Sequence, residues 1–164
     1  MRVAGTVQDS IVDGPGFRYV VFAQGCPHRC EGCHNPETRE PDGGTWRDVA
    51  GIIREMLSNP LTDGLTLSGG EPFAQARDCA ELAEAARNAG LNVWTYSGYT
   101  FEELLAKSAS EPDALRLLAA TDILVDGRFV LSERSLDLAF RGSRNQRVLD
   151  AKRSLASGAA VERG

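Results

Sequence analysis

Cys26, Cys30 and Cys33 lie in one short run, Gly25-Cys-Pro-His-Arg-Cys-Glu-Gly-Cys-His34, spaced CxxxCxxC. Thiolates this close in sequence can converge on one soft metal centre. Three of them leave a four-coordinate metal or a four-iron cluster one ligand short. An open position is where chemistry can happen. The same residues also suit a structural zinc site in which His28 or His34 completes a Cys3His set. Gly25 and Gly32 lack Cβ, so the loop can turn tightly and bring backbone N–H groups near sulfur. Cys79 stands apart in an Ala-rich helical stretch and reads as a small buried hydrophobe.

Other segments could face the same centre. Ser68-Gly-Gly-Glu-Pro72 follows a short apolar strand, which puts its backbone at the sheet edge that carries the cysteine loop; taken alone it could equally be an ordinary turn. Trp94-Thr-Tyr-Ser-Gly-Tyr99 ends a further strand, where alternation separates Trp94 and Tyr96 from Thr95 and Ser97. Of these, Ser97 is the pocket candidate and Trp94 reads as structural. Arg141-Gly-Ser-Arg-Asn-Gln-Arg147 concentrates three arginines with amides, as an exposed charged loop or as a contact surface. Asp13-Gly-Pro-Gly16 has the composition of a tight turn.

The elements that must position these groups alternate between strand and helix. Phe17 to Ala23 reads as a buried strand running into the cysteine loop. Thr45 and Asp48 form a Thr-x-x-Asp cap before a helix through Leu57. Leu65 to Leu67 is a short strand, Gln75 to Ala89 a helix closed by Gly90, and Asn92 to Tyr96 a strand. Thr100 and Glu103 cap a third helix, Pro112 to Ala119 makes a fourth, and Asp122 to Asp126 is a strand. Leu136 to Phe140 and Gln146 to Asp150 read as short final strands. The alternation predicts a parallel sheet with right-handed crossovers. At roughly 30 residues per βαβ unit, the chain is too short for a full eight-unit barrel, and a partial, laterally open (β/α) barrel with mostly parallel strands fits. Residues 1–150 make one domain and 151–164 a frayed tail.

With 164 residues and 42% apolar content the chain can bury a real core. A net charge of −5 without a dense Lys/Arg block points to neither a nucleic-acid groove nor an anionic-membrane patch. No apolar segment has signal-peptide or membrane-spanning character, so a cytoplasmic location is expected. Reduced thiols there favour a metal site over disulfides.

Taken together, Val12-Asp-Gly-Pro-Gly-Phe-Arg18, the cysteine run continuing through His34-Asn-Pro-Glu-Thr38, Leu67-Ser-Gly-Gly-Glu-Pro72, Trp94 to Tyr99, Val125-Asp-Gly-Arg-Phe129 and Arg141 to Arg147 occur in one order. In this the chain resembles the radical S-adenosylmethionine (SAM) activases of glycyl-radical enzymes, most closely those serving anaerobic ribonucleotide reductases. The resemblance implies an α/β radical SAM barrel. It also implies one 4Fe-4S cluster on Cys26, Cys30 and Cys33, with SAM chelating the fourth iron. Gly32, Cys33, His34, Gly70, Glu71 and Ser97 would lie near SAM. Gly70 would offer a backbone contact to the methionyl amino group, and His34 would lie by the adenine unless it is a zinc ligand or a solvated loop residue. The implied partners are a large glycyl-radical reductase subunit and a low-potential electron donor such as flavodoxin. Arg39 stands where similar sequences often carry Trp. Competing readings are an activase of a pyruvate formate-lyase-like enzyme, a small radical SAM enzyme acting on metabolites, such as a deazaguanine ring-forming enzyme, and a non-catalytic zinc-binding interaction module.

Overall fold

The computed structural model describes residues 1–164. In chain order the strands are β1 (Arg2–Ser10), β2 (Arg18–Ala23), β3 (Thr45–Trp46), β4 (Gly64–Gly69), β5 (Asn92–Ser97), β6 (Ile123–Asp126) and β7 (Arg147–Asp150). The helices are α1 (Val49–Ser58), α2 (Ala76–Asn88), α3 (Phe101–Ser108), α4 (Pro112–Ala120) and α5 (Ala151–Ser157). All seven strands form one open sheet in the order β3-β1-β2-β4-β5-β6-β7. The central four, β2, β4, β5 and β6, pair in parallel, joined by the helical crossovers the alternation predicts. The flanking strands β1, β3 and β7 pair antiparallel. The sheet is not closed into a barrel.

The period of two along a strand divides the sheet into two faces. Tyr19, Val21, Leu65, Leu67, Val93 and Leu124 join the helix residues Ile52, Met56, Leu82, Leu117 and Leu118 in one apolar core. The alternate positions Arg18, Thr66 and Trp94 occupy the other face and are also buried. Because β2, β4, β5 and β6 run the same way, the loops that follow them leave at one edge of the sheet. The cysteine run, the Gly-Gly-Glu-Pro segment and the Ser97-Gly98 turn are therefore neighbours in space, although far apart in sequence.

Several local expectations change. Asp48 alone caps α1, accepting the Gly51 N–H at 3.0 Å, while Thr45 is drawn into β3 opposite Val3. Leu136 to Phe140 is a run of turns rather than a strand, with Phe140 at φ 61°. β1 has no counterpart in the sequence reading, because its polar, Gly-containing stretch lacks a clear apolar alternation. Residues 151–157 form α5 instead of fraying. Asp150 caps it by accepting the Arg153 N–H at 2.9 Å, and the buried Ser154 hydroxyl accepts the Val161 N–H at 2.9 Å. The returning chain adds a bridge between Leu149 and Glu162.

Arg18 fastens the end of the sheet opposite the cysteine loop. It is fully buried, and its guanidinium donates to Thr66 Oγ1 at 3.0 Å, to the Leu65 carbonyl at 2.7 Å and to Asn92 Oδ1. Burial lowers its pKa to about 10. Gly64 makes room for it, since a Cβ there would stand 2.2 Å from Arg18 Nη1. Replacing Arg18 by Met strands these acceptors, and a loss of about 3 kcal/mol in urea unfolding is expected; a loss below ~1 kcal/mol would show that the network is not structural.

Candidate functional site

The site is built on the loop that leaves β2. Gln24 is buried, and its amide donates to the Glu37 and Glu40 carbonyls at 3.0 and 2.8 Å, folding the segment back on itself. Two backbone bonds complete the return, Gly25 N–H to the Thr38 carbonyl at 2.7 Å and Cys26 N–H to the Arg39 carbonyl at 3.0 Å. Gly25 and Gly32 have φ of 97° and 73°, the conformations their lack of Cβ allows. At Gly32 a side chain would also meet Leu131 Cδ1 at 2.9 Å.

The segment after β4 is fastened directly to this loop. Gly70 N–H donates to the Ala23 carbonyl at 2.8 Å and Glu71 N–H to the Gly25 carbonyl at 2.9 Å. A Cβ on Gly70 would stand 2.4 Å from the Gly25 oxygen and 2.9 Å from the Thr38 oxygen. The constraint on Gly70 therefore comes first from the cysteine loop's own backbone.

Glu71 is fully buried and faces away from open space. Its carboxylate accepts the Phe73 N–H at 3.0 Å, the Ser97 hydroxyl at 3.0 and 3.1 Å and the Gly98 N–H at 2.8 Å, and it lies 2.8 Å from His28 Nε2. His28 sits between Cys26 and Cys30, packed edge-on to Tyr99 with ring centroids 4.4 Å apart. Gly98 permits this approach, because a Cβ there would overlap the His28 ring at 2.3 Å. One carboxylate thus connects the cysteine loop to the ends of β4 and β5.

Cys26, Cys30, Cys33, His34, Gly70 and Ser97 all line one cavity of about 990 Å³. Gly32 and Glu71 do not reach its lining and act from behind it. Tyr96, Val125 and Phe140 supply much of its apolar wall, and Arg39, Arg134 and Arg141 its cations. Tyr96, not Thr95, takes the cavity side of β5, since Thr95 is buried against Thr121 with their hydroxyls 2.9 Å apart. Sequence reasoning missed Tyr96 and Phe140: an aromatic on a strand carries no mark of which face it will take, and Phe140 lies in a stretch of turns whose alternating sequence looks like a strand. Trp94 is structural as expected, packed edge-on against Phe140 at 5.2 Å. His34 stacks at a tilt on Phe129, 5.0 Å between centroids.

The Arg141 to Arg147 segment is mostly committed to its own fold. Gln146 accepts the Gly142 and Ser143 N–H groups at 2.9 and 3.2 Å and donates to the Gly127 carbonyl at 3.0 Å. Arg147 pairs with the buried Asp126 at 2.6 Å and with Glu102 at 2.8 Å. Only Arg141 of the three arginines lines the cavity. Cys79 is fully buried in α2 and is not part of this lining; burial pushes its thiol pKa up.

All four thiols are free. Burial pushes Cys26 up to about 11, so loading a metal centre there must displace a proton. The donors fit an iron-sulfur cluster in three respects. Three thiols share one cavity wall, that wall carries cationic groups, and a buried Arg39 Nε–H beside the loop has no hydrogen-bond partner. The side chains do not converge as ligands of one metal ion would. Of the possible fourth zinc ligands, His28 is engaged with Glu71.

The sequence model of the 4Fe-4S single cluster domain family matches residues 12–149, and the chain belongs to that family. Its relatives define the branch. The anaerobic ribonucleoside-triphosphate reductase-activating protein of Escherichia coli (strain K12) is 33% identical over 148 residues, covering 84% of this chain and 91% of the relative. The protein of the same description from Vibrio cholerae is 34% identical over 144 residues, covering 83% and 89%. That of Enterobacteria phage T4 is 34% identical over 146 residues, covering 84% and 86%. The resemblance read from the motifs is borne out, and family membership supports an iron-sulfur cofactor over a zinc module.

Removing the Glu71 carboxylate leaves four donors without their acceptor. Glu71→Ala is expected to cost about 3 kcal/mol in urea unfolding, and Glu71→Gln about half of that. Equal, small losses for both variants would show that the carboxylate does not hold the loops together.

Proposed function

We propose that the protein is a radical SAM activase that installs a glycyl radical on an anaerobic ribonucleoside-triphosphate reductase. The observation that carries this reading is the single cavity lined by Cys26, Cys30 and Cys33 together with Gly70 and Ser97, in a chain whose relatives are named as activators of that reductase. The open sheet is then the partial, laterally open barrel of a radical SAM enzyme.

Cys26, Cys30 and Cys33 would hold three irons of a 4Fe-4S cluster, leaving the fourth for the amino and carboxylate groups of SAM. When bound, the pair supplies one-electron cleavage of the sulfonium to methionine and a 5′-deoxyadenosyl radical, which takes a hydrogen atom from a partner glycine and leaves as 5′-deoxyadenosine. The electron comes from a low-potential donor such as flavodoxin.

The chain's own residues bind, orient and shield. Gly70 presents bare backbone beside the cysteine loop, and His34, stacked at a tilt on Phe129, would lie by the adenine, with Cys33 near SAM. Glu71 and Gly32 support that arrangement from behind the wall, and Ser97 joins the wall to the Glu71 carboxylate. Tyr96, Val125 and Phe140 exclude water from a reactive intermediate. The cavity lies at the upper end of small-molecule pockets, which run roughly 300–1,000 Å³, and this suits SAM plus an entering segment of the partner. No helix is long and apolar enough to cross a membrane.

After anaerobic reconstitution, Cys26→Ala, Cys30→Ala and Cys33→Ala should each lose the cluster, while Cys79→Ala keeps it. Electron paramagnetic resonance of wild-type protein with the cognate reductase should show a glycyl radical only when SAM and a low-potential reductant are both present. Stoichiometric zinc without functional iron would contradict the cofactor assignment. A radical formed only on a formate-lyase-type partner would move the substrate to that class.

A further inference from the structure

Arg39 touches the cysteine loop twice. Its carbonyl accepts the Cys26 N–H at 3.0 Å, and its Nη2 donates to the Cys30 carbonyl at 2.6 Å. No other cationic side chain from outside the loop hydrogen-bonds to it. Like the other lining arginines, Arg134 and Arg141, Arg39 pairs with no carboxylate; what sets it apart from them is its direct bond to the cysteine loop. Arg39 lines the cavity that all three cysteines line, its guanidinium is fixed on the Cys30 carbonyl, and its buried Nε–H has no acceptor within the protein.

These features describe a charge held in place without being neutralised. A buried donor left unmatched is unfavourable, and an arginine needed only for packing could make the bond to Cys30 while pairing its charge with one of the chain's many carboxylates. Reduction of a thiolate-bound cluster adds one negative charge at the site. A fixed cation close by stabilises the reduced state more than the oxidised one, and net charge and hydrogen bonding are what set such potentials. In a partly dehydrated wall the interaction is far less screened than at the surface.

We propose that Arg39 is an electrostatic counterpart of the cluster, held at the cysteine loop so that its guanidinium favours the one-electron-reduced state. This rests on the reading that Cys26, Cys30 and Cys33 hold a 4Fe-4S cluster. Arg39 is a positioning residue here, acting on the cluster's redox equilibrium and not on SAM or the partner. The consequence is donor choice: without Arg39 the cluster would need a stronger reductant.

The test is a potentiometric titration of the anaerobically reconstituted full chain, followed by the paramagnetic signal of the reduced cluster. Arg39→Gln and Arg39→Met should retain iron but lower the reduction equilibrium constant about tenfold, equivalent to 59 mV for a one-electron couple. Arg39→Lys, which keeps the charge, should remain close to wild type. Neutral variants that titrate at the wild-type potential would overturn the proposal, as would a Lys variant that falls as far as they do. Loss of the cluster from both neutral variants would also overturn it, because the role would then be structural. A wild-type protein that takes up no reducible cluster would instead overturn the functional reading itself, and this inference with it.

Discussion

A carboxylate cut off from water needs hydrogen-bond donors around it, and Glu71 takes its donors from separate segments of the chain. Phe73 comes from its own turn, Ser97 and Gly98 from the end of β5, and His28 from the middle of the cysteine run. Only the Phe73 contact is local, the cap of the short 3-10 turn that follows Glu71; the others come from distant segments. Together they set how far the cysteine loop stands from the ends of two parallel strands. Gly70 and Gly98 are bound to the same constraint, because a Cβ at either would collide with the loop or with the His28 ring. The geometry of the cavity wall thus follows from one buried group and the close approaches made around it.

The field inside the cavity differs from that of the whole molecule. The chain carries a net charge of −5, yet Arg39, Arg134 and Arg141 line the cavity against a single lining carboxylate, Asp13. Asp13 is itself engaged with the Ser10 hydroxyl. A cleft walled by low-dielectric material focuses such charges. That local excess suits a thiolate-bound cluster and a carboxylate-bearing cosubstrate, whereas the overall acidity says nothing about either.

Much of this was legible in the sequence because it is encoded locally. The cysteine spacing, the Gly-Gly-Glu-Pro segment after an apolar strand and the Thr100–Glu103 capping box each declare themselves within a few residues, and the box forms as read. What was hidden depends on partners distant in sequence. Glu71 was a candidate for cofactor contact, but its neighbours come from 26 and 43 positions away, at Ser97 and His28. α5 is hidden because it is short and has Leu155 as its only large apolar residue, and its order comes from Asp150 and from the chain returning at Val161. Leu136 to Phe140 looked like a strand by its alternation, yet no neighbouring strand is available to pair with it.

On the proposed function, the cavity beside the three cysteines receives SAM at a cluster iron that no cysteine ligates. The most direct measurement is the paramagnetic resonance spectrum of the reduced, reconstituted protein recorded with and without SAM. SAM is expected to change the cluster signal, and SAM labelled with magnetic nuclei in its amino or carboxylate group to show hyperfine coupling to it. An unchanged cluster signal with no coupling, in protein that holds a full complement of iron, would contradict the claim.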